Sequence, residues 1–209
     1  MSLIARLAEK SWQNPGIDGR SDPADYRPPA AKVGLVAFMG VATVIFTLLS
    51  AAYLMRMGIH GNMGHGTAGD WRPLPKPPQL WINTGLLALG CLAWEAARRL
   101  ARSGEAAPMR SAAALGNGLG VLFLLGQLLL WRHYQAGGYF LAANPANAFF
   151  YLLTALHGLH LAGGVIAGLH APYPPAGGHD ARLRIQLCAI YWHFLLLVWI
   201  VLLVLLLST

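Results

Sequence analysis

Residues 149–169, FFYLLTALHGLHLAGGVIAGL, and residues 185–207, IQLCAIYWHFLLLVWIVLLVLLL, decide the architecture. Each is as long as the run of about 20 apolar residues that a helix needs to cross a bilayer. From Leu195 to Leu207 the second has no side-chain polar atom except the indole N–H of Trp199. Both nevertheless hold histidine near the middle: His157 and His160 in the first, His193 in the second. An imidazole in hydrocarbon needs a partner, so these rings are expected to face a bundle interior, a cavity or another subunit.

Working outward, segments 33–55, 80–97 and 111–131 join 146–169 and 185–207 as spans, with 80–97 the shortest. A mean hydropathy of +0.49, with 56% hydrophobic and 11% charged residues, fits a polytopic membrane protein and excludes an ordinary soluble domain. The expected fold is all-α, one bundle of five transmembrane helices over residues 33–209, behind a segment 1–32. That segment has no apolar signal-peptide core, so the first span is expected to act as the insertion signal. Leu3, Ile4, Leu7 and Ala8 share a face of a short interfacial helix, before the breaker Asn14-Pro15-Gly16 and an irregular linker. The loop HGNMGHG (60–66) and the following WRPLPKPPQ argue against regular structure between the first two spans. Broken-helix pairs of the transporter kind are not visible, which disfavours a small transporter.

The net charge of +7 is a topology signal rather than a nucleic-acid signal. Eleven of the 15 Lys and Arg residues precede the first span or lie in the second and fourth loops, against four in the alternate loops. By the positive-inside rule the N-terminus is cytoplasmic and the C-terminus is on the outer side. Anionic lipid headgroups are the natural partner of the basic side, and no nucleic acid is expected.

Few residues can carry chemistry. Placed on ideal helices, His157 and His193 fall at matching depths of about 16 to 18 Å from the outer side. They could ligate a haem or metal between adjacent helices, or simply fix helix packing through hydrogen bonds. Gly158, Gly163, Gly164 and Gly168 would let another helix approach. Gln127 is the main polar group of the third span and is expected to bond across helices, while Arg132 and His133 end that span. Glu95, the only carboxylate in any span, has Arg98 and Arg99 three and four residues on, the spacing of a snorkelled ion pair in the last turn. His60, Met63 and His65 offer a weak soft-metal pattern. Cys91 and Cys188 lie inside spans without metal spacing, and Trp71, Trp81, Trp94 and Trp131 fall near span ends, where interfacial tryptophans sit.

Two motifs carry a resemblance. FFYLLTALHGLHLAGG (149–164) and YWHFLLLVW (191–199) resemble the signature helices of subunit III of the haem–copper oxidases. LWINTGLLALG (80–90), GQLLLWRHYQAGGYFLAANPANAFFYLLT (126–154) and FMGVATVIFTLLSAAYLMR (38–56) look like the same family in its short, five-helix bacterial form. The resemblance implies a non-catalytic accessory subunit of a terminal oxidase in a bacterial inner membrane, beside catalytic subunit I and subunit II. Haem and copper would belong to those partners. This chain would hold no cofactor or metal and no catalytic residue of its own, and would form a V-shaped cleft for phospholipid. The family helps maintain proton uptake, oxygen access and resistance to turnover inactivation. His157, His160, Tyr191, Trp192, His193, Trp199 and Gln127 then become structural or cleft-lining residues. Family carboxylates are absent where Ala42 and Leu196 stand, which leaves room for the related subunit that accompanies some nitric oxide reductases. A bis-histidine haem b anchor is the alternative of another class.

Overall fold

The computed structural model describes residues 29–62, 74–173 and 181–208. It contains five helices: α1 (Ala30–Asn62), α2 (Gln79–Ser103), α3 (Ala106–Ala136), α4 (Pro145–His170) and α5 (Ala181–Leu207). All five are long and apolar enough to span a membrane, and the described residues include no strand. The architecture is the expected all-α polytopic one. Each helix contains its predicted span and four overrun it at both ends, because a helix that satisfies its own backbone in hydrocarbon has no reason to stop where apolarity does. The helices stop at turn chemistry instead. Gly104 takes a φ of +83° after α2, and the Glu105 N–H then bonds back to the Leu100 carbonyl at 3.2 Å. Asn144 caps α4 by accepting from the Ala146 N–H at 3.0 Å, with Pro145 as its first helical residue.

The chain divides into two compact units, Met1–Ala37 and Phe38–Thr209, and α1 runs through the boundary. Within the second unit, α2 packs on α3 and α5, and α4 packs on the same two helices, so the four close a ring. Indole rings fill its centre. Trp94 and Trp192 are fully buried, with ring centroids 5.9 Å apart and planes 28° from parallel. Glycines on α3 make room for them: a Cβ on Gly116 would lie 2.7 Å from Trp94 Cδ1, and one on Gly120 would collide with Trp192 Cη2. Trp94 is thus core rather than interfacial, because it stands on the ring-facing side of α2 and the bilayer depth of a residue says nothing about its side. Trp81 remains lipid-exposed, Trp131 is half-buried, and Trp71 lies outside the described residues.

From Phe38 onward, α1 meets this ring by one stripe. Ala42, Phe46 and Tyr53 are buried at steps of four and seven, while Val41, Val44, Leu48 and Met55 are exposed. Phe46 and Tyr53 join Leu153 of α4 and Val198, Leu202 and Leu205 of α5 in one apolar cluster.

At one end of the bundle, loops are tied to helix ends by hydrogen bonds. Tyr134 Oη donates to the Pro75 carbonyl at 2.6 Å, and Tyr151 Oη to that of Tyr139 at 3.0 Å. At the other end, Arg182 Nη2 donates to the Arg102 carbonyl at 2.6 Å and Arg110 lies 5.2 Å over the Tyr173 ring. The arginines counted together for topology are therefore neighbours in space.

Candidate functional site

His157 sits in the middle of α4 with 0% of its surface exposed. Trp199, Phe123 and Phe46 surround it at centroid distances of 5.2, 5.7 and 6.4 Å. Neither ring nitrogen has a hydrogen-bond partner among the described residues. The imidazole therefore acts as an aromatic plate in a cage of π faces and hydrocarbon, a shape that fills space.

His160, one turn later and half-buried, donates from Nδ1 to the Leu156 carbonyl at 2.8 Å. Its ring lies 5.4 Å from Phe46 and 5.7 Å from Phe38, and its carbonyl accepts from Tyr191 Oη at 3.0 Å. The Tyr191 ring in turn rests against Gly164, where an added Cβ would come within 3.0 Å of Cε1.

His193 faces elsewhere. It is exposed, donates from Nδ1 to the Ala189 carbonyl at 2.6 Å, and lines a notch with Glu95, Arg98, Arg99, Ala189 and Ile190. His157 and His193, whose depths match on ideal helices, therefore face different sides of the bundle. Matching depth fixes position along the helix axis, but rotation is fixed by Trp192, whose ring is held between Gly90 and Gly120. With Trp192 inward, the next residue is turned about 100° away. No group of three or more His, Cys, Asp and Glu that could hold a metal occurs among the described residues. His60, Met63 and His65 fall outside the side chains described. Cys91 donates to the Trp192 carbonyl with 3.1 Å between the atoms, and Cys188 is half-buried and free.

Glu95 forms the ion pairs its spacing predicts. Arg98 Nε lies 2.7 Å from Oε2 and its Nη2 donates to Oε1 at 2.8 Å, while Arg99 Nε reaches Oε1 at 3.2 Å. It is not in the last turn, however, because α2 continues to Ser103.

Gln127 accepts from Asn83 Nδ2 at 3.2 Å across the α2–α3 contact, as expected of an interhelical polar group. Sequence reasoning did not single out the other buried polar groups of the bundle. Asn83, Asn117, Asn147 and Thr154 are all buried, Trp199 Nε1 donates to Thr84 Oγ1 at 2.9 Å, and Trp131 Nε1 donates to Thr154 Oγ1 at 3.1 Å. The available signal was a polar residue in the middle of an apolar span, which has to find a partner inside the bundle. Of the four glycines marked on α4, Gly164 and Gly168 meet other side chains closely, Gly158 makes ordinary contact with Leu124, and Gly163 meets open space. Ala42 is buried on the α1 stripe and Leu196 is half-buried. Between α1 and α5 lies a groove of about 190 Å³, lined by Thr43, Thr47 and Ser50 on one side and Phe194, Leu197 and Val201 on the other.

The chain is similar to cytochrome c oxidase subunit 3 from two cyanobacteria. Identity is 29% over 192 residues with the Thermostichus vulcanus protein, covering 88% of this chain and 90% of that one. With the Synechocystis protein it is 27% over 187 residues, covering 85% and 75%. No family model matches. These relatives support the haem–copper oxidase subunit III family, and with the five apolar helices they indicate a bacterial membrane protein.

Proposed function

We propose that this chain, a relative of bacterial cytochrome c oxidase subunit 3 over most of its length, is the non-catalytic third subunit of a haem–copper terminal oxidase. It packs beside catalytic subunit I, together with subunit II, in the cytoplasmic membrane. Its N-terminus, with residues 1–32, is cytoplasmic, residues 33–209 form the membrane domain, and the C-terminus is periplasmic. Haem and copper stay in the partners, and this subunit stabilises the catalytic one while supporting proton uptake and oxygen access. The groove between α1 and α5 is a fitting place for a phospholipid tail.

The similarity to proteins of that name, extending over 85–88% of the chain, carries this reading. The geometry supports it from the chain's own side. His157 is enclosed by aromatic rings, His193 lines another face, and the only carboxylate within the five helices is bound to two arginines. A redox or proton-relay role would need such groups gathered around a ligand or a path.

Removal of the chain from the complex tests the proposal. The catalytic subunit should keep its haems yet lose activity sooner during sustained turnover. An unchanged working lifetime would contradict the supporting role, and a fusion reporter after Thr209 that is active only in the cytoplasm would contradict the orientation.

A further inference from the structure

At the end of the bundle where α3 stops and α4 begins, five aromatic rings touch in series. Centroid to centroid, Trp131 lies 5.8 Å from Tyr151, and Tyr151 lies 5.4 Å from Phe150. Phe150 is 5.1 Å from Tyr134, and Tyr134 is 5.9 Å from Tyr139. We propose that this series is a radical relay: it takes an oxidising equivalent from a lipid peroxyl radical at Trp131 and delivers it to Tyr139, where a water-soluble reductant discharges it. The assignment rests on the chain spanning a bilayer and not on which catalytic subunit it accompanies.

The two ends of the series meet different surroundings. Trp131 is half-buried and lines a hollow of about 510 Å³ on α3, beside the exposed side chains of Leu125, Leu128 and Leu129. Bilayer hydrocarbon covers such a wall. Tyr139 is 36% exposed and stands in the loop after α3. Gly137 seats its ring, since a Cβ there would lie 3.2 Å from Cδ2 and Cε2. An aromatic belt sits at the headgroups. The middle three rings here are instead buried in the protein, packed edge to face.

Hydrogen bonds decide where the radical can rest. Trp131 Nε1 donates to Thr154 Oγ1 at 3.1 Å, and that hydroxyl donates to the Phe150 carbonyl at 2.7 Å, so the indole has no base to take its proton. Tyr151 and Tyr134 donate to the backbone carbonyls of Tyr139 and Pro75, which are too weakly basic to keep a proton. A phenol oxidised without losing its proton takes an electron back at once, so neither buried tyrosine stays oxidised. Tyr139 can release its proton to water. Only an electron crosses the series in the net step. The peroxyl radical gains that electron and a proton from interfacial water and becomes a hydroperoxide. Tyr139 loses the electron, gives its Oη proton to water and becomes a neutral tyrosyl radical. A soluble one-electron reductant of the enediol or thiol class returns the electron, and water returns the proton.

The test uses the full chain with whatever polypeptides co-purify, in nanodiscs, with a lipid-soluble azo initiator that releases peroxyl radicals on warming. A water-soluble nitrone traps tyrosyl radicals, and peptide mass spectrometry reads the trap adducts and oxygenated indoles. In the wild type the adduct should concentrate on Tyr139. Oxygenated indole should build up on Trp81, 61% exposed and outside the series, more than on Trp131. Trp131→Phe should remove most of the Tyr139 adduct. Tyr151→Leu should do the same and raise oxygenated Trp131 without changing Trp81, whereas Tyr151→Phe, which keeps the ring, should keep the adduct. A water-soluble initiator should label Tyr139 equally in the wild type and every variant, because it attacks that ring directly. With the lipid-soluble initiator, a Tyr139 adduct that survives both Trp131→Phe and Tyr151→Leu would overturn the relay. So would a yield of oxygenated Trp131 that Tyr151→Leu leaves unchanged. Loss of the adduct with both initiators would trace it to a displaced loop and would overturn the relay as well.

Discussion

Helix α1 and the helices of the ring α2–α5 are all apolar enough to span a membrane, yet they solve different packing problems. The most apolar stretch of α1 has a mean hydropathy of 2.3 with 11% of it buried, whereas α2 reaches only 1.3 with 44% buried. In water the more apolar helix would be the more enclosed. In a bilayer the outer surface is apolar too, so hydropathy marks the solvent and not the neighbour. What distinguishes the ring is small and polar residues among large rings. Gly116 and Gly120 seat Trp94 and Trp192, and Asn83 bonds to Gln127. On α1 the equivalent is one stripe ending in aromatic knobs, Phe46 and Tyr53, set against α4 and α5.

The contrast can be broken most forcefully at its centre. Trp192→Ala empties the seat between Gly90 and Gly120, and should cost about 3 kcal/mol or more of thermal stability in detergent, in the range for large core truncations. If the variant melts with the wild type, the ring is not the stable part. Phe46→Ala on α1 should cost less, about 1–2 kcal/mol, because a helix held by one stripe can settle toward its neighbours. Leu48→Ala, on the same helix but exposed, should shift melting very little. Equal losses at Phe46 and Leu48 would deny that α1 has a single contact stripe.

His157 gives a finer test. With both ring nitrogens lacking a partner among the described residues, replacing the imidazole by an apolar ring removes no hydrogen bond seen in the structure. His157→Phe should therefore change stability by less than about 1 kcal/mol in either direction and leave the optical spectrum of the complex unaltered. A loss of several kcal/mol would reveal a partner for the imidazole, and a lost absorption band would make it a ligand.

The number and order of the helices could be read from the chain because spanning a bilayer demands long apolar runs, and runs survive any rotation. Rotation itself was not legible. Trp94 sits near a span end and so was expected at the interface, but it points inward because Gly116 and Gly168 leave space there, a match between helices that no single span displays. His193 and His157 share a depth and differ in azimuth for the same reason. Local pairs fared better. Glu95 with Arg98 and Arg99 follows from helical spacing alone, and only its distance from the helix end was misjudged.

The most direct measurement is to purify the tagged full chain in mild detergent, identify what comes with it, and record the optical spectrum before and after separating the subunits. The chain should bring down a haem-bearing catalytic subunit, and all haem absorbance should leave with that partner. A Soret band remaining on the separated chain would contradict the accessory role and return His157, His160 and His193 to the position of ligands.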